Sequence, residues 1–198
     1  MKNFWAILLL SLLGLMGVSS VWAVEYETMV GYSRGAAFIL DQTQTVNDYE
    51  REFESSHAST YSVSLEHRFP SSGAYFWGLG ADFTSFTYDF KPAEQGAMGT
   101  VDSSLLMFNA RYYFDFSAKF HPYVSGGFGI GYAGLDDRGD KIDHHGYGGL
   151  QCKLGAEYFL GRDFGMFAEG KWLELRGKSQ DFDPTSYGIF AGIFFVFR

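Results

Sequence analysis

Leu150-Gln151-Cys152-Lys153-Leu154-Gly155-Ala156-Glu157-Tyr158 decides the fold and the solvent around it. Every second residue is apolar, and those between are Gln, Lys, Gly and Glu. A repeat of two places successive side chains on opposite faces, which defines a strand with one apolar and one polar side. The same alternation runs outward in both directions. Downstream, Met166, Ala168 and Trp172 alternate with Gly165, Glu169 and Lys171; then come Tyr187, Ile189, Ala191, Ile193, Phe195 and Phe197. Upstream, Val124, Phe128, Ile130 and Tyr132 alternate with Ser and Gly. Leu106 to Phe114, Trp77 to Phe83, Tyr61 to Phe69 and a less regular Tyr26 to Arg34 complete eight predicted strands.

The connections alternate in length. Pro70 to Gly73, Ser117 to Lys119 and Gly161 to Asp163 are tight turns. Gly35–His57, Tyr88–Ser103, Leu135–Gly146 and Glu174–Thr185 are longer polar loops. In a meander this puts every short turn at one end and every long loop at the other, the asymmetry of a transmembrane barrel. The expected fold is therefore all-β, an eight-stranded antiparallel up-and-down transmembrane β-barrel.

A soluble barrel would also alternate, with its apolar face inside. The contents of the faces argue otherwise. One face of strands two to eight holds large apolar residues and no charge. The other holds Gly and Ser with Glu66, Asp82, Arg111, Lys153, Glu157, Glu169 and Lys171. Eight strands enclose little volume, which suits small residues and mutually paired charges. These seven residues are expected to form a lumen charge network, and the large aromatics to lie outside. Aromatics beside the turns, including Phe76, Trp77, Tyr112, Tyr113, Tyr123 and Tyr158, read as a membrane-boundary girdle.

Composition agrees. The chain has 198 residues, of which 19% are aromatic, and 25 are Gly, a mixture that favours sheet and turns over helix. Its formal charge of −8 argues against nucleic acid as a partner. The single cysteine, Cys152, excludes an internal disulfide or a Cys-rich zinc site and reads as a lipid-facing small hydrophobe. Residues 1–23 carry Lys2, an uncharged Leu-rich core and Val21-Trp22-Ala23 before the cut, the pattern of a secretory signal peptide. Residues 24–198 are expected to be the mature barrel domain. The four long loops carry −4, −2, −2 and −1, which equals the whole mature charge.

On these residues the chain resembles the small outer-membrane β-barrel family, the OmpA transmembrane-domain and OmpX kind. The resemblance rests on the leader, the eight-strand meander, the glycine-rich Pro122-Tyr-Val-Ser-Gly-Gly-Phe-Gly-Ile-Gly-Tyr132 and the last strand. It implies the outer membrane of a Gram-negative bacterium, loops exterior and N-terminus periplasmic, among outer-membrane lipid and lipopolysaccharide. It also implies an assembly signal in Tyr187, Ile189, Ile193, Phe195 and Phe197, read by the outer-membrane assembly machinery; here Arg198 follows the aromatic end. No periplasmic cell-wall-binding domain is expected after the last strand.

The expected role is non-enzymatic: structural, or adhesion and interaction through the acidic loops with a host or surface ligand. The alternatives are a narrow porin-like channel and an envelope lipid-modifying enzyme. His57-Ala58-Ser59 resembles the His-x-Ser pair of outer-membrane lipid A deacylases, but its place in the chain and its flanks do not match. Asp136 to His145 is rich in oxygen donors, with His144 and His145 as imidazoles, yet matches no calcium-loop spacing. Arg138-Gly139-Asp140 is the integrin tripeptide, a short motif that chance supplies often. No cofactor is expected, because the glycines lie within strands rather than before a helix.

Overall fold

The structure, a computed structural model, describes residues 27–39, 42–46, 49–53, 57–69, 75–90, 99–114, 116–137, 140–177 and 185–198. The predicted leader, the predicted turn Pro70 to Gly73, Arg138 and Gly139 lie outside them. The strands are β1 (Glu27–Ile39), β2 (Gln42–Val46), β3 (Tyr49–Phe53), β4 (His57–Phe69), β5 (Tyr75–Phe90), β6 (Gly99–Phe114), β7 (Phe120–Asp137), β8 (Asp140–Phe159), β9 (Phe164–Gly177) and β10 (Thr185–Phe197). Eight of them close into a ring in the order β1-β10-β9-β8-β7-β6-β5-β4, each antiparallel to its neighbours. The remaining two, β2 and β3, form a separate ribbon where a plain loop was expected.

The stagger of the ring follows from its register. Pro122 pairs with Ala156, and the row continues through Ala168, Ala191, Arg34, Tyr61, Ser85 and Ser104 to Tyr132. One circuit from Pro122 thus returns to the same strand at Tyr132, ten residues further on. With a strand spacing of ~4.8 Å and a rise of ~3.3 Å per residue, that stagger tilts the strands by roughly 40° from the barrel axis.

The predicted parity holds around the ring. Outward positions such as Phe128, Leu154 and Ile189 are about two-thirds exposed (66%, 68% and 69%), an area of apolar surface that water would not tolerate. Strand ends differ from expectation. β7 and β8 pair through Asp137 and Asp140, so most of the supposed loop at Leu135–Gly146 is hairpin. β8 has 20 residues, about twice the 9–11 that a tilted strand needs to cross a membrane. The backbone ladder continues past the alternating apolar residues, through Asp136, Asp137, Asp140 and Lys141, where the sequence has no apolar alternation to mark it. At the other end, the turn before β7 is tied by Ser117, whose Oγ accepts from the amides of Lys119 and Phe120 at 3.3 and 3.0 Å.

Candidate functional site

The inward face of the wall is built from residues two apart on each strand, so its chemistry is fixed by parity. Four carboxylates, Glu66, Asp82, Glu157 and Glu169, meet four cations there: Arg68, Arg111, Lys153 and Lys171. All eight are buried, and among the described residues they are the only buried charges. They separate into two groups along the axis.

Nearer the turns, two arginines, two glutamates and one tyrosine interlock. Arg68 Nη2 lies 2.6 Å from Glu157 Oε2, and Arg68 Nε 3.1 Å from Glu66 Oε1. Arg111 Nη1 lies 3.0 Å from Glu66 Oε2 and 3.5 Å from Glu157 Oε1. The Tyr113 hydroxyl donates to Glu66 Oε1 at 2.5 Å and accepts from Arg68 and Arg111 at 3.1 and 3.0 Å. Arg68 also stacks at 4.7 Å over the Tyr113 ring, and Arg111 at 4.5 Å over Tyr123. Burial of an ion costs several kcal/mol of hydration, and the cost is met only when every charge is paired and hydrogen-bonded. Here the pairing is dense, although Arg111 Nε remains without a partner.

Higher in the lumen, Asp82 is the hub. It contacts Lys153, accepts from Asn109 Nδ2 at 2.8 Å and from Gln151 Nε2 at 3.3 Å. Glu169 takes the Tyr123 hydroxyl at 2.7 Å and faces Lys153 and Lys171 at 3.9 and 3.8 Å. Lys171 rests 4.4 Å over the Phe190 ring and 3.3 Å from Thr84 Oγ1. Beyond this group, towards the long loops, Phe86, Leu105, Met107, Tyr147, Leu173 and Leu175 pack into an apolar plug with Ala37 and Ala58. At the turn end, Met29, Phe159, Phe167, Phe194 and Val196 form a second apolar cluster, whose Met29 and Phe194 touch Arg68.

Two features depart from the sequence reading. Arg68 belongs to the network although it was not among the seven predicted residues; it shares the parity of Ser62, Ser64 and Glu66 and pairs with both Glu66 and Glu157. Aromatics also fill the interior. Phe76 stacks on Tyr113 at 4.4 Å, and Tyr113 and Tyr123 are fully buried, so these three are lumen residues rather than girdle. Trp77, Tyr112, Phe114, Tyr158 and Phe164 do face outward. Glycines on neighbouring strands make the room. A Cβ on Gly155 would come 2.6 Å from Tyr123 Cζ, and one on Gly78 2.6 Å from Glu66 Oε1.

The other candidates fall on the wall or at its rim. Cys152 is free and exposed on the outward face. Tyr187, Ile189, Ile193, Phe195 and Phe197 are likewise outward. Arg198 folds back, with Nε 2.6 Å from Glu27 Oε1 and Nη1 against Asp163, joining the two ends of the described chain to a turn. Ser59 is exposed on β4 beside Ala36 and Thr87. The next acid along its row is Asp102, two strands away and hydrogen-bonded by Thr87 at 2.7 Å. The side chain of His57, which would have to stand between the two, is outside those described. Asp136, Asp137, His144 and His145 stand in the β7–β8 ladder; their side chains are outside those described. Among the described residues no cluster of three or more metal-ligating side chains occurs.

No family model matches the chain, and no curated protein matches it. Solved structures do. Neisserial surface protein A aligns with a TM-score of 0.60 at 15% identity, covering 86% of this chain and 96% of its own. The attachment invasion locus protein Ail of Yersinia pestis, in complex with the heparin analogue sucrose octasulfate, aligns at 0.56 with 14% identity, covering 87% and 99%. The outer membrane enzyme PagL aligns at 0.52 with 13% identity, covering 83% and 97%. At these identities the likeness is one of fold. The chain is a closed eight-stranded barrel of the small outer-membrane type.

Proposed function

We propose that this protein is a non-enzymatic outer-membrane barrel whose work is done by its acidic loop end. The observation that carries the reading is the filled lumen. Arg68 and Glu157 stand on opposite sides of the ring and meet at 2.6 Å, and an apolar plug lies above the second charge group. Such an interior supports a structural scaffold better than a solute channel. The loop segments carry all of the mature net charge, −4, −2, −2 and −1 in chain order. Ail was crystallised with the heparin analogue sucrose octasulfate, an anion, whereas the loop segments of this chain are themselves negative. A negative rim repels polyanions and steers cations towards itself, so the partner expected at this end is a basic protein surface or peptide. In this reading the loops face the exterior and the tight turns the periplasm.

The test is threefold. Purified protein in planar bilayers should pass no steady current, and its expression should leave the mass of lipid A unchanged. In micelles it should bind polylysine, with an affinity that falls as salt rises, and should not bind heparin. A steady wild-type current would promote the channel alternative. A shifted lipid A mass would promote the enzyme.

A further inference from the structure

We propose that the β2–β3 ribbon takes an extended basic peptide as a third strand, laid antiparallel along β3. The proposal rests on the acidic loop end being the working end of the protein, and it names the element there that binds. β2 and β3 pair with each other over five residues, from Gln42 opposite Phe53 to Val46 opposite Tyr49. Among the described residues, neither pairs with a barrel strand. Each therefore keeps one edge whose amides and carbonyls have no described strand beside them. A ribbon of two short strands is marginal in water and needs a third strand or a packed surface to hold. Extended peptides add to open sheet edges in this way. Main-chain hydrogen bonds supply the attraction, and alternate side chains select the partner.

The register says which partner fits. Residues along a strand alternate between faces, and residues directly opposite each other share a face. Glu50 and Glu52 therefore share a face with Thr45 and Thr43. The one base of the ribbon, Arg51, falls on the other face, with Val46, Tyr49 and Phe53. The acidic face thus has no cation of its own, and the segment Gly35–His57 around it carries −4, the largest share of the four loops. A strand beside β3 sets its own residues opposite Glu50 and Glu52, which stand two residues apart, roughly 7 Å along the strand. Basic residues at every second position match that spacing, and opposite charges across a ladder attract. The residues between them fall on the face of Val46, Tyr49 and Phe53, where apolar side chains fit. The partner is an extended peptide in which basic and apolar residues alternate. A second copy of the chain fits less well. Its β3 laid along this one sets glutamate beside glutamate, and like charges directly opposite are destabilising. The edge of β2, Gln42-Thr-Gln-Thr-Val46, has no charge to offer.

The test uses the full chain refolded in micelles and three synthetic peptides of equal charge. The first has Lys and Val in strict alternation. The second has the same residues with the lysines in one block. The third is the alternating peptide N-methylated throughout, which cannot donate to a ladder. Fluorescence anisotropy of the labelled peptides reads binding, and a heat-induced gel shift establishes that each protein variant is folded. Wild type should bind the alternating peptide at least tenfold more tightly than the other two. Glu50→Gln/Glu52→Gln and a variant lacking residues 42–54 should lose that preference. Arg51→Gln, whose position is on the other face, should keep it. Equal binding of the three peptides overturns the proposal and leaves the acidic loop end as the working end, as does a preference that survives the deletion. A wild-type dimer that the deletion dissolves also overturns it, since the edge then belongs to a second copy. A wild type that binds neither polylysine nor any of the three peptides overturns the acidic-end reading together with the proposal.

Discussion

Arg68 Nη2 on β4 and Glu157 Oε2 on β8 lie 2.6 Å apart although their strands are four places apart in a ring of eight. They reach across the full width of the barrel. Truncating either leaves an uncompensated charge, so Arg68→Ala should lose roughly 3–5 kcal/mol. Arg111→Ala should lose a comparable amount, because Arg111 faces the same two glutamates. Urea unfolding in micelles measures both. The double variant Arg68→Ala/Glu157→Gln should be less destabilised than the sum of its parts. Unchanged stability of the single variants would mean that water fills the site.

Ala110 is exposed on β6 between Phe108 and Tyr112. By the register it lies within the apolar belt, between Leu79 on β5 and Gly126 on β7. Ala110→Arg should lower stability by roughly 2–4 kcal/mol. The same unfolding measurement in vesicles reads it, and a neutral result would contradict the outward assignment of β6.

Gly155 stands opposite Tyr123. A methyl there would sit 2.6 Å from the Tyr123 ring and 2.7 Å from the Ala168 carbonyl oxygen. Because the second contact is backbone, the neighbour cannot rotate away. Gly155→Ala should cost roughly 1–3 kcal/mol as overpacking. Gly126, whose added Cβ would meet nothing within 4 Å, is the control: Gly126→Ala should leave the unfolding midpoint nearly unmoved.

Deleting residues 42–54 removes the β2–β3 ribbon, which pairs with itself and with no barrel strand. Surface insertions contribute little closure entropy. The shortened protein should show the same gel shift and unfolding midpoint as wild type.

The barrel was legible where one physical signal dominated. Leu150 to Tyr158 fixes both face and solvent, since lipid outside demands strict alternation. Arg68 was harder to read: parity puts it inside, but its position beside the turn hides how far a long side chain reaches. Tyr113 and Tyr123 were read by their closeness to turns when their parity pointed inward, and nothing local reveals that Gly155 makes room for a ring. The β2–β3 ribbon, Gln42-Thr-Gln-Thr-Val46 and Tyr49-Glu-Arg-Glu-Phe53, is short and mostly polar, so its sequence does not distinguish it from loop.

Arg198 grips Glu27, 171 positions earlier in the chain, and β1 finds one of its two partners only in β10. The ring is therefore open until its last strand exists. An unclosed sheet exposes two edges whose amides and carbonyls seek any available strand. Such long-range pairing is slow, because a large loop must close before the contact is made. Closure of the barrel therefore waits on β1 meeting β10, the pairing of greatest sequence separation in the ring.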